Sequence, residues 1–366
     1  MINGKKIKQI IKVFIIAALF NTLLITGSCN TTGPGDDKGD NTADTTSHNY
    51  TWQTWKFGEH SSSIIYDVAV INENNIWAVG EIYLNDSTGE ADPEPYAVAH
   101  WDGAEWKLSK VQYHDFNQTN KYPGPLFSIS FIDNEICATS YANLLKWNSD
   151  KWEEKAFFME NIPFYKQIQK IWGVNNSIYC IGRNGAIFHY ITADWQEIES
   201  STDLDIYDIF GKEKSNGEYE ILCAAAKHTI NTDKKIMRIE NNTVKDISTE
   251  GIRSSISGLW FIPGEKYYTV GVGIYSKENI NSDKPWELQE GITQYYLYSI
   301  DGQPLNDIAA CGSYGELLHF NGSGWKSYKN EVGLNAGAYF RVKIKNDMII
   351  AVGYDSPKAV ITIGKR

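Results

Sequence analysis

From residue 50 onward, apolar residues alternate with polar ones at a period of two, in short runs crowded with Val, Ile, Tyr and Trp and interrupted by Gly, Asn and Asp. Such alternation predicts β-strands with a buried face, and it disfavours helical repeats, whose apolar stripe would recur every 3.6 residues. The runs come in sets. One set reads Ile65-Tyr66-Asp67-Val68, then Asn75-Ile76-Trp77-Ala78-Val79-Gly80, then Ala99-His100-Trp101-Asp102-Gly103-Ala104-Glu105-Trp106. A second clear copy has Ile168 to Ile171, Ser177 to Gly182, Phe188-His189-Tyr190 and Trp195; another has Leu297 to Ile300, Ala309 to Gly312 and Leu318 to Trp325. Weaker copies begin near Leu126, Ile206 and Ile256, and a last one begins at Tyr339.

Seven starts spaced by roughly 45 residues, each with four strands, predict an all-β, seven-bladed β-propeller of four-stranded antiparallel blades. The seventh copy supplies only three strands before the sequence stops, whereas Tyr50 to Lys56 resembles the fourth strand Glu105-Trp106-Lys107. The N-terminal strand is therefore expected to complete the last blade, which removes the free edge of an open sheet.

Composition fits this reading and adds an address. Of 366 residues, 42% are hydrophobic and 13% aromatic, enough for a full core, and the net charge of −11 argues against nucleic acid as a partner. Residues 1–28 carry Lys5, Lys6, Lys8 and Lys12, the apolar run Val13 to Ile25, and then Thr26-Gly27-Ser28. The apolar run is shorter than the roughly 20 residues of a membrane span and reads as an export signal. With Cys29 directly after the small residues, the segment resembles the bacterial lipobox, Thr26 standing for the usual Leu. The resemblance implies lipidation of Cys29 and membrane attachment through the lipid. Removal of 1–28 leaves a charge of −15. Residues 29–49 hold one Ala as their only aliphatic side chain and are expected to form a flexible tether ahead of the propeller at 50–366.

Candidate chemistry follows from the repeat. The first-strand position filled by Asp67, Ser128, Lys170, Asp208, Gly258, Ser299 and Arg341 should face the central channel, which makes Asp67, Lys170, Asp208 and Arg341 candidate binding residues or the lining of a hydrated channel. Two long connections, Glu81 to Pro95 and Gln112 to Pro125, fall on one rim and bring Tyr83, Asp92, Tyr113, His114 and Tyr122 into one sector. Cys137, Cys180 and Cys223 share a small slot with Ala78, Thr269, Ala310 and Ala351 and read as buried thiols. His100, His189 and His319 share a position with Lys146 and Arg238, read as a solvated strand face with no metal role. No nucleophile elbow, zinc-protease, phosphate-loop or dinucleotide motif is present, so neither a catalytic residue nor a cofactor is assigned.

Over residues 50–366 the chain resembles bacterial lipoproteins with propeller repeats of the Ile-Trp-Ala-Val-Gly and His-Trp-Asp-Gly-x-x-Trp type, a look shared with periplasmic sensor propellers and photosystem-assembly factors. That resemblance implies a fold and no catalytic residue. Asn30 after the lipidated Cys is compatible with the outer membrane, on either face. The expectation is a non-catalytic, envelope-anchored binding or scaffold protein for a protein or glycan. The alternative is a polysaccharide-acting enzyme with Asp67 and Asp208 as acid and base.

Overall fold

The structure, a computed structural model, describes residues 45–115, 120–157, 165–192, 194–227 and 233–366. The export signal, Cys29 and most of the tether lie outside the described residues, as do 116–119 of the second long connection.

Seven four-stranded antiparallel sheets follow one another along the chain. Blade 1 consists of Ile64–Asn72, Asn75–Ile82, Tyr96–Trp101 and Trp106–Ser109. Blades 2 to 6 open with Ser128–Ile132, Ile168–Val174, Asp205–Glu213, Ile256–Ile262 and Leu297–Gly302. Blade 7 takes Gly337–Lys345, Met348–Asp355 and Lys358–Lys365, and Thr51–Phe57 closes it from the other end of the chain. In that seam Trp55 stands opposite Ile361 and Thr54 opposite Thr362, whose hydroxyls lie 2.9 Å apart. Lys56 Nζ donates to Asp355 Oδ2 at 2.5 Å. The expected count of blades and the expected closure are both observed.

Strand alternation explains the packing. Each inner strand is buried on both faces, one toward the preceding blade and one toward the next, and a separate apolar cluster fills each of the seven seams. The third and fourth strands meet in aromatic cross-strand pairs, Trp101 with Trp106, Trp147 with Trp152 and Phe320 with Trp325. Between them Asp102, Asn148 and Asn321 accept from backbone amides two and three residues ahead, which accounts for the Asp and Asn of the repeated turn.

Two expectations change in detail. Thr139 stands opposite Ser128 as Val79 stands opposite Asp67, so Ala138 fills the small slot and Cys137 turns toward blade 3. A shift of one residue reverses the face, and a run of small residues such as Cys137-Ala138-Thr139 carries too little pattern to fix it. Residues before 50 also pack on the propeller. Thr46 Oγ1 donates to Asn306 O at 2.6 Å, Thr46 N to Asn321 O at 3.1 Å, and the Tyr328 hydroxyl to His48 O at 2.6 Å. A polar segment can be tied down by backbone hydrogen bonds that composition does not reveal.

Removing residues up to Phe57 should expose the edge of Lys358–Lys365. The expected outcome is loss of cooperative thermal unfolding and concentration-dependent association in size-exclusion chromatography; a monomer with unchanged Tm would contradict the closure.

Candidate functional site at the channel mouth

The innermost strands do more than pack. In blades 1, 3, 4, 5, 6 and 7 the first strand carries a bulge one residue before the channel position, skipping Tyr66, Gln169, Tyr207, Ser257, Tyr298 and Phe340 in the pairing. A bulge re-aims the skipped side chain. The second-strand Gly of the repeat makes room for it: a Cβ on Gly80, Gly182 or Gly353 would lie 2.0, 1.8 or 2.0 Å from the carbonyl oxygen of Ile64, Gln167 or Ala338. The Gly of Ile-Trp-Ala-Val-Gly is thus favoured by close backbone approach.

The re-aimed residues, with Phe127 of blade 2, surround one mouth of the channel and enclose a cavity of about 330 Å³. Its walls differ. On the side of blades 6, 7, 1 and 2 the rings touch in succession: Tyr298 with Phe340 at 5.3 Å, Phe340 with Tyr66 at 6.4 Å, Tyr66 with Phe127 at 5.0 Å and Phe127 with Tyr141 at 3.7 Å. The opposite side presents Gln169, Arg183, Tyr207 and Ser257. Tyr141 and Arg183 come from loops between second and third strands, so the mouth opens on the face that carries the long connections.

Directly beneath lies the charged ring. Asp67 is 0% exposed and accepts from Ser128 Oγ at 2.6 Å, Ile129 N at 3.2 Å and Val68 N at 2.9 Å. Lys170 Nζ lies 3.2 Å and Arg341 Nε 3.4 Å from the same carboxylate; Arg341 Nη1 also reaches Asp208 Oδ1 at 3.4 Å. The four predicted channel residues therefore form one network. Burial pushes the Asp67 carboxyl up, but Lys170, Arg341 and the Ser128 hydroxyl together hold it below its ordinary range. Burial and then Arg341 push Lys170 down to about 8, against the pull of Asp67 and Asp208.

The ring also fastens neighbouring blades. Asp67, Ser128, Asp208 and Ser299 each accept the amide just after the next blade's ring position: Ile129 N at 3.2 Å, Ile171 N at 3.1 Å, Leu259 N at 3.1 Å and Val342 N at 3.4 Å. These polar side chains do more than line a hydrated channel. They accept hydrogen bonds from backbone amides of the neighbouring inner strands.

Rim residues divide. The Tyr83 hydroxyl donates to Glu81 Oε2 at 3.2 Å while Tyr66 donates to Glu81 Oε1 at 2.6 Å, which ties this rim residue to the mouth. His114 bonds Glu154 at 2.9 Å, and with Tyr113 and Tyr122 it surrounds a small recess that shares Tyr141 with the mouth. Tyr113 is only 3% exposed, its hydroxyl donating to Pro125 O, so it supports from below the paired strands Gln112–His114 and Lys121–Pro123 of this connection. Asp92 stands apart, paired with Lys110 at 2.7 Å. The histidine position is a correction, since His189 and His319 are buried. His100 stacks on Trp77 and His189 on Tyr179, and the three bond Asn75, Ser177 and Asp307 at the start of their own second strands. Lys146 with Glu135 and Arg238 with Glu220 use the same clasp.

The mouth's own residues were missed by the sequence reading, although a signal exists: the residue before the channel position is aromatic in five copies, Tyr66, Phe127, Tyr207, Tyr298 and Phe340.

Fold and site together define a closed β-propeller with an aromatic channel mouth. Solved structures of the same architecture include YCF48 bound to D1 peptide, with a TM-score of 0.63 and 15% identity over 89% of this chain and 100% of that one. The WD40 propeller domain of Doa1 gives 0.62 and 14% over 87% and 98%. A catalytically inactive virginiamycin B lyase from Staphylococcus aureus with quinupristin gives 0.60 and 10% over 85% and 99%. At these identities the likeness concerns the fold. No protein-family model and no curated protein matches the chain.

Asp67→Asn should cost about 3 kcal/mol in denaturant unfolding, since it leaves the buried Lys170 without its carboxylate and Arg341 with Asp208 alone. Because the native carboxyl titrates below the unfolded one, its contribution is complete above the ordinary carboxylate range and is lost as pH falls through the native value. The wild type should therefore lose more stability on acidification than the variant; equal acid profiles would contradict the network.

Proposed function

We propose that this chain is a non-catalytic binding propeller, anchored in a bacterial cell envelope, that recognises a protein or glycan at the channel mouth and the adjoining rim loops. The observation that carries the reading is the aromatic cavity, held open by backbone bulges in a rigid closed ring. Concave sites with apolar walls and a few polar groups are the usual form of ligand pockets. A protein partner gains support from YCF48, a propeller of the same architecture whose structure holds a peptide.

The alternative, a polysaccharide-acting enzyme, requires Asp67 and Asp208 as acid and base. Asp67 is fully buried and held ionised, with no proton to give, and Asp208 is committed to Arg341 and the Leu259 amide. Both facts favour binding without turnover. Envelope anchoring rests on residues 1–29, and an outer-membrane location on Asn30 after the lipidated Cys.

Two measurements test this. Labelled palmitate should enter the wild type and not Cys29→Ala, which should move to the soluble fraction; a labelled variant would remove the lipid anchor. Cross-linking in cells together with a glycan array should give a ligand whose capture falls about tenfold or more in a Tyr66→Ala, Phe340→Ala double variant that keeps its circular dichroism. Undiminished capture would move the site away from the mouth.

A further inference from the structure

The two walls of the mouth ask for different things from one ligand. The aromatic wall includes Phe127 and Phe340, which have no polar edge, so it suits an aromatic or aliphatic side chain better than a hydroxylated sugar ring. Across from it stands Arg183, exposed, and its guanidinium enters no ion pair among the described residues. The carboxylates bonded to mouth residues are already engaged: Glu81 by the hydroxyls of Tyr66 and Tyr83, and Asp205 by Asn184 N at 3.0 Å and the Tyr207 hydroxyl at 3.4 Å.

A second guanidinium lines the floor. Arg341 reaches Asp67 and Asp208 only at 3.4 Å, well beyond the roughly 2.7–2.9 Å of a strong charge-assisted bond, and its buried Nε makes no hydrogen bond. Nη1 bonds Asp208, and Nε is left without a hydrogen-bond partner. On a chain of net charge −11, Arg183 is a cation without an ion-pair partner among the described residues at this cavity, and Arg341 beneath it is shared between Asp67 and Asp208. Planar forks of this kind recognise carboxylates bidentately. Two of them are far too few to track a nucleic-acid backbone.

We propose that the mouth selects a peptide segment in which a carboxylate lies next to an aromatic or apolar residue. The apolar side chain stacks on the Phe340, Tyr66 and Phe127 wall, and Arg183, assisted by Arg341, holds the carboxylate. This rests on the mouth being the binding site. The carboxylate can belong to a chain terminus or to an acidic side chain.

The test is isothermal titration of the full chain in detergent with four probes: acetyl-Ala-Ala-Phe with a free carboxylate, the same peptide amidated, amidated acetyl-Ala-Phe-Glu, and trigalacturonate. At least one acidic peptide should bind about tenfold or more tighter than the neutral amide, and the choice between the two acids identifies the source of the carboxylate. Arg183→Gln, an exposed position, should abolish that preference, while Tyr141→Ala should weaken all peptides. Equal binding of acid and amide, or a preference that survives Arg183→Gln, overturns the inference; if Tyr141→Ala still weakens binding, the mouth remains the site. Binding of trigalacturonate without any peptide overturns the peptide assignment. Binding of no probe overturns the inference, and the reading of the mouth then depends on the capture experiment alone.

Discussion

Seven sheets arranged in a circle leave no free edge only if the last one is completed, and here completion comes from pairing Thr51–Phe57 with Ala359–Lys365. Every other feature depends on that antiparallel seam. Without it the sheets form an open arc, the amides held by Asp67 and Ser299 lose their fixed spacing, and the residues around the channel do not converge. The seam is local in structure and distant in sequence, so it links the two ends of the folded domain into one cooperative object.

Within the closed ring, adjacent residues of each inner strand have been given separate tasks. In blades 1, 2, 4 and 6 the channel position turns inward and accepts an amide from the next blade, which makes it a fastener. The preceding residue, pushed out of the ladder by a bulge in every blade but the second, forms the mouth. Both depend on the second-strand Gly in blades 1, 3, 5, 6 and 7, where any Cβ would collide with the opposing carbonyl. Blade 4 bulges against Ala225 at the same point, so Gly there is a strong preference of the geometry and not an absolute rule. The buried charges show the same economy: Asp67 joins its own blade to three others because it serves Ser128, Ile129, Lys170 and Arg341 together.

The repeat, the number of blades, the closing strand and the charged ring were legible in the amino-acid pattern because each recurs, and recurrence survives variation at single positions. The mouth was harder to see. A bulge is a backbone event, and Tyr66 or Phe340 beside a channel residue reads as ordinary strand alternation until the skipped pairing is known. Side-chain partners were also hidden: the shared position of His100, His189 and His319 reads as polar and therefore exposed, whereas stacking on Trp77 or Tyr179 and a bond to the second strand bury it or half bury it. The docking of Thr46 and His48 on blade 6 depends on main-chain hydrogen bonds that composition does not register. Connectivity puts Tyr113 on a rim connection, but its burial comes with the close packing at Gly124, where a Cβ would meet the Tyr113 hydroxyl at 2.3 Å.

Native-state hydrogen exchange tests the closed, amide-fastened ring most directly. If one ring of seven sheets opens as a unit, the amides of Ile129, Ile171, Leu259, Val342 and Ile361 should exchange only through global unfolding, with a common free energy and a common dependence on denaturant. Exchange of Ile361 or Val342 through an earlier, separate opening of blade 7 would contradict the closure on which the channel and its mouth depend.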